Sequence, residues 1–248
     1  MANYTMNYLD QVIFRVDFTR EIDHSHKSIS GFYGDIKTFF PNKEDIKNTV
    51  IEASFSQEKS GRKISHTERD VMSYRFTDES KNMLIGLDPT ALFIEVKSYT
   101  KFEHLISNID LALTSLKKFY GMTIIKRTGL RYINKIVLAE GDPLDWKSLI
   151  NNNLISMLEF PVNKRELSRS MGLVELNKTG FYVRIQFGIP NSEYPNYISR
   201  REFILDYDCY NTDEIDISEV HDNIKRFHEC IISLYEHSIL EGLRGIMG

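Results

Sequence analysis

Cysteine is scarce in this chain: Cys209 and Cys230 are its only two. One sits in a strand-like stretch and the other in a helical one, and the opening residues Met1 to Asn7 lack the basic-then-apolar pattern of an export signal. A disulfide-stapled secreted fold is therefore set aside, and two small apolar thiols in a reducing cytoplasmic compartment are expected. No apolar run approaches the roughly 20 residues that cross a bilayer as a helix, so no membrane partner is expected. A dominant charge is also missing, since 31 Lys and Arg stand against 35 Asp and Glu, interspersed along the chain. No global field then draws in nucleic acid or an anionic membrane, although a local basic face stays open.

Catalytic and metal-binding signatures are absent as well. There is no G-x-S-x-G, no H-E-x-x-H or H-x-x-x-H, and no lysine-bearing phosphate loop around Gly31 to Gly34. His24 and His26 with Asp23 form the one local histidine cluster, and it lacks a third defined ligand. Asp206 and Asp208 share one face of a strand and could hold Mg²⁺, but no acidic or histidine companion stands at a useful spacing. No catalytic residue, metal or cofactor is assigned, and an enzyme is the least favoured class.

Phe, Tyr, Ile and Leu are plentiful, enough for a real core in one domain spanning 1–248. Between Leu9 and Thr19 the residues alternate, Val12, Phe14, Val16 and Phe18 facing one way and Gln11, Arg15 and Asp17 the other, as in a half-buried antiparallel strand. The spacing predicts a helix over Ser28 to Phe40 that Pro41 stops. Strands are expected at Val50 to Ser56, Val71 to Thr77, Met83 to Leu87 and Ala91 to Lys97, with turns at Lys59-Ser60-Gly61, Asp78-Glu79-Ser80 and Asp88-Pro89. An amphipathic helix from Phe102 to Phe119 follows, with Gly121 as its stop.

The second half reads as a strand over Thr123 to Leu138 and a short helix over Pro143 to Asn151 capped by Asp142. Further strands are expected at Glu166 to Leu176, Phe181 to Ile189 and Glu202 to Tyr210, then a final helix from Ile217 to about Leu243. Tyr120-Gly121-Met122 joins the halves with no linker. The expected fold is thus α+β, built from two pseudo-repeated β-α-β(meander)-α halves, 8–120 and 122–248, whose antiparallel sheet packs on long helices.

Four segments carry a resemblance. They are Leu9-Asp10-Gln11-Val12-Ile13-Phe14-Arg15-Val16-Asp17-Phe18, the strand Thr128-Gly129-Leu130-Arg131-Tyr132-Ile133-Asn134-Lys135-Ile136, the strand Phe203-Ile204-Leu205-Asp206-Tyr207-Asp208, and the run from Phe227-His228 through Ile239 and Leu243 to Met247-Gly248. In these the chain resembles a sporadically distributed family of bacterial and archaeal proteins with no established activity, over nearly its whole length. The family usually carries a proline just before the first strand, where this chain has Met6-Asn7-Tyr8. The resemblance implies a single-domain cytosolic protein from mobile, defence or toxin-antitoxin loci, and it transfers no catalytic residue.

The central strand puts Arg127, Gly129, Arg131, Ile133 and Lys135 on one face. With Arg184 these cations could grip phosphates, and Gly129 could let a ligand approach. The opposing reading pairs the arginines with acids on adjacent strands, such as Asp206 and Asp208. The leading expectation is a non-enzymatic cytosolic binding protein acting through a protein partner or as its own oligomer. The alternatives are nucleic-acid or nucleotide binding through Arg127, Arg131, Lys135 and Arg184, and a small-ligand pocket between sheet and helices. The segment Pro190 to Arg200, with Tyr194 and Tyr197, is a further contact surface.

Overall fold

The computed structural model describes residues 4–58 and 61–248, with side chains outside 52–65. Lys59 and Ser60 of the first expected turn lie outside the described residues. β1 (Leu9–Phe18) buries Val12, Phe14, Val16 and Phe18, as its alternation demands. α1 (His26–Ile36) is capped by Ser25, whose hydroxyl accepts from the Ser28 amide. It ends earlier than the apolar spacing suggests, because the amides of Phe39 and Phe40 both turn back to the Ile36 carbonyl and send Phe40 into the core.

β2 (Asn42–Glu58) and β3 (Gly61–Thr77) are each 17 residues long, far longer than the expected strands. From Ile46 opposite Ser73 outward they pair only with each other, since β4 (Met83–Asp88) joins β3 at Tyr74 to Thr77 alone. At roughly 3.3 Å per residue this two-stranded ribbon extends on the order of 40 Å past the sheet. Its charged and polar residues gave no alternation to read, and those described at 47–51 and 66–70 are exposed. β5 (Ala91–Val96) returns to β1, and α2 (Phe102–Tyr120) closes the first half with Gly121 in the left-handed region at φ 62°.

β6 (Ile124–Leu138) opens the second half. The expected helix over Pro143 to Asn151 is instead a series of turns, and the helix α3 is one turn further on (Asn152–Ile155). Asp142 does accept from the Leu144 amide. Trp146, however, is fully buried beside Phe203 and donates its indole N–H to the Pro143 carbonyl, which holds the backbone in a tight local turn. Next come β7 (Ser170–Lys178), β8 (Phe181–Ile189), β9 (Arg201–Asn211) and the short β10 (Ile215–Asp216). The start of the expected strand at Glu166 belongs to a 3-10 turn over Lys164–Glu166.

The final helix is broken in two, α4 (Val220–Ser238) and α5 (Glu241–Met247). Ile239 leaves helical geometry to bridge Ile150, and the Leu240 and Gly242 amides bond to the Leu149 and Ser148 carbonyls. The turns around Trp146 thus capture backbone donors that a continuous helix would have used internally.

All strands pair antiparallel in the order β2-β3-β4-β5-β1-β6-β9-β8-β7, with β10 beside β6. The fold is α+β. Outward from the central β1/β6 pair, the order mirrors itself: β5 and β9, β4 and β8, β3 and β7 occupy matching places. One sheet face is apolar and meets the helices, as in Phe227 of α4 against Phe181 of β8 at 5.2 Å and Phe32 of α1 against Phe76 of β3 at 5.6 Å. Among the described residues no helix is long and apolar enough to cross a membrane.

Two histidines lie within this helix-facing interior. His228 of α4 stacks on Phe102 at 3.9 Å, and its Nδ1 is 2.9 Å from the Tyr132 hydroxyl, which donates to Tyr99. Burial pushes His228 down to about 4 and lowers His24 too. The unfolded chain takes up these protons below about 6.5, whereas folded His228 resists until about 4. Stability from this source is full above 6.5 and drains as pH falls toward 4, a trend that the raised Asp208 opposes. The urea midpoint should therefore drop between pH 7.5 and pH 5, and His228→Gln should shrink that drop. An equal drop in parent and variant would contradict the assignment.

Candidate functional site

Because side chains alternate along a strand, burying Leu130, Tyr132 and Ile136 of β6 against the helices turns Arg127, Gly129, Arg131 and Lys135 to the opposite, uncovered face. The pairing then sets their neighbours. Arg131 lies between Ile13 of β1 and Asp208 of β9, and Asp208 in turn faces Arg184 of β8, which faces Glu175 of β7. A band of alternating charge therefore crosses four strands.

The arginines are committed within that band. Arg131 donates through Nε and Nη2 to the two oxygens of Asp206 at 2.8 and 2.6 Å, a bidentate pair that raises its own pKa. Arg184 donates through Nε to Glu175 at 2.8 Å. Arg127 is held more loosely, 3.7 Å from Asp208, with its guanidinium 5.0 Å from the Tyr210 ring centroid. Burial pushes the Asp208 carboxyl up, against the pull of Arg127, Arg131 and Arg184.

Gly129 serves its own strand. A Cβ there would stand 3.3 Å from Arg127 Nη1, so the glycine lets that side chain lie flat toward Tyr210. Lys135 is exposed and stands apart, four residues from Arg131 and thus about 13 Å along the strand. Among the described residues it has no ion pair. Three of the four candidate cations are therefore brought together and the fourth is not.

The face holds a groove of about 520 Å³ over the β1/β6 junction. Arg15 and Asp17, bonded to each other at 2.7 Å, line it with Phe93, Glu95, Arg127, Arg131 and Asp208. Phe93 and Glu95 escaped sequence reasoning. Their placement depends on β5 pairing with β1, which alternation within one strand does not reveal. Phe93 lies flat across Gly86, where a Cβ would come within 2.1 Å of the ring, and Arg75 covers it at 4.9 Å.

The other candidates resolve differently. His24 is half-buried and packs on the core, with Nδ1 3.1 Å from the Tyr120 hydroxyl and its ring edge-on to Tyr74. Among the described residues no three His, Cys, Asp or Glu gather as metal ligands. Cys209 is buried, and burial raises its thiol pKa. Between sheet and helices lies a cavity of about 70 Å³ near Tyr99, Tyr132 and Tyr235, well short of the roughly 300 Å³ at which ligand pockets begin. Tyr194 and Tyr197 are exposed, Tyr194 beneath the guanidinium of Arg169 at 4.1 Å.

No protein-family model matches the chain, and no curated protein is similar to it.

The Asp206 pair offers a direct check. Asp206→Asn should cost about 1–3 kcal/mol, because Arg131 loses its charged partner while the site stays half-buried. Asp206→Leu combined with Arg131→Met should cost less than either single change. Urea unfolding of Asp206→Asn, of the double variant and of its two single changes measures this, and additive losses in the double would show that the two groups do not act as a pair.

Proposed function

We propose that the chain is a non-enzymatic binding protein whose open sheet face docks a protein partner. The observation that carries this reading is the prior commitment of the arginines to acids. A polyanion would have to compete with Asp206, Asp208 and Glu175 for Arg131, Arg127 and Arg184. A protein segment bearing both signs can instead match a groove in which Arg15, Arg127 and Arg131 alternate with Asp17, Glu95 and Asp208. A cytoplasmic setting accords with the two unpaired cysteines, and the family resemblance adds a defence or toxin-antitoxin context. The mirrored strand order supports reading the halves 8–120 and 122–248 as a duplication.

Nucleic-acid binding is the second reading, favoured by the loose pairing of Arg127, by exposed Lys135 and by the stacked Tyr182 and Tyr210 rings on the same face, 5.7 Å apart. A small-molecule pocket beneath the helices has only the 70 Å³ cavity in its favour.

Affinity capture from the native host tests the proposal, using the parent and an Arg127→Ala/Glu95→Ala variant as baits. A protein held by the parent and lost from the variant, and binding again when purified, supports it. A capture set indifferent to the variant overturns it. So does retained nucleic acid whose gel shift weakens steeply from low to high salt.

A further inference from the structure

We propose that β7 is a self-association edge, along which a second copy of this chain adds its own β7 antiparallel about a two-fold axis. β7 ends the sheet order, and its register with β8 runs from Ser170 to Lys178 without a bulge. Among the described residues no hydrogen bond reaches its outer side, so the backbone N–H and C=O groups of every second residue along this nine-residue strand are left without a strand partner. Such edges are ordinarily blunted by proline, inward charge, a bulge or a covering element. β7 has none of the first three, and its one mid-strand charge, Glu175, is tied to Arg184. Apolar side chains instead flank the edge: Met171 and Leu173 on the open face are 40% and 58% exposed, and Val174 on the helix side is 41% exposed. Phe160 and Val162, just upstream, are almost fully exposed.

The mirrored sheet shows what is missing. β7 occupies the place that β3 holds in the other half, and β3 is covered along its whole length by β2. The second half supplies no strand to do the same.

The chemistry of the edge selects a second copy. A two-fold axis normal to the sheet keeps each face on its own side, so facing residues must share a face. Pairing centred on Glu175 would set two carboxylates opposite each other, a destabilising arrangement. Pairing centred on Gly172 sets Met171 opposite Leu173 of the second copy and brings exposed Arg169 level with its Glu175. The two open faces then lie on one continuous surface, and the assembly presents two grooves on the same side. The edge does not depend on what the groove binds.

Sedimentation equilibrium across a concentration series tests this. The parent should show twice the chain mass, and Met171→Lys/Leu173→Lys should raise the dimer dissociation constant at least about tenfold while keeping the parent's far-UV circular dichroism. Mixing Met171→Cys with Leu173→Cys chains under mild oxidation should give a disulfide-linked heterodimer that neither yields alone. A monomeric parent would overturn the proposal. So would a dimer that ignores the lysines, which would place the interface elsewhere, or a mixture that fails to cross-link.

Discussion

The antiparallel ladder between β1 and β6 is the interaction on which the rest depends. Among the described residues it is the only strand pairing that joins residues before Gly121 to residues after it, and it runs from Leu9 opposite Asn134 to Phe18 opposite Ile125. Val12, Phe14 and Val16 of β1 are fully buried, as are Leu130 and Ile136 of β6. Each such side chain contributes about 1.5–3 kcal/mol when removed from water. Separated, the halves would leave β1 and β6 as open edges. The pairing therefore makes one continuous sheet from two arrays and places the groove, since Ile13, Arg15 and Asp17 meet Arg131, Gly129 and Arg127 across the same ladder.

One-sided burial follows from that ladder and sets the chemistry of the other side. With α1, α2 and α4 meeting one face, every second residue of the central strands has to tolerate water. Arg15, Asp17, Arg127, Arg131, Asp206 and Asp208 take up such positions, and these charges are arranged as partners. Asp206, with its side chain 8% exposed, holds the best-formed pair, the bidentate contact with Arg131. Arg127, at 3.7 Å from Asp208, keeps hydrogen-bonding capacity in reserve. A surface ordered in this way has a small net charge, with positive and negative groups interleaved across it.

Much of the fold was legible because these elements bury one face. β1, β8 and α2 lie almost where periodicity put them, and Gly121 and Gly180 mark turns through positive φ. Reading failed where tertiary contacts override local pattern. The helical stripe of α4 continues in sequence through Ile239, but the Leu149 and Ser148 carbonyls claim the next amides and break the helix. The proline and aspartate ahead of Trp146 signal a helix start, yet burial of the indole decides otherwise. The ribbon of β2 and β3 was under-read since pairing without burial leaves no period. At the site, alternation identified the face carrying Arg127 and Arg131. Whether those arginines were free depended on a register between strands 75 residues apart, which no local signal encodes.

The difference between the two ends of the sheet is the last consequence of its mirrored order. Near the sheet, β2 carries Lys43, Glu44, Asp45 and Lys47, with Lys43 bound to Asp45 and Lys47 to Asp70, so the edge beside the core is wrapped in charge. At the other end β7 presents Met171, Leu173 and Val174, and Gly172 lies under Phe187, where a Cβ would come within 2.5 Å of the ring. That glycine keeps β7 close against the core at the cost of a side chain that could shield its edge. The extra strand of the first half and the bare strand of the second are thus complementary solutions to one problem. A sheet grown outward from β1 and β6 must end somewhere, and each end needs its own means of satisfying the last row of backbone groups.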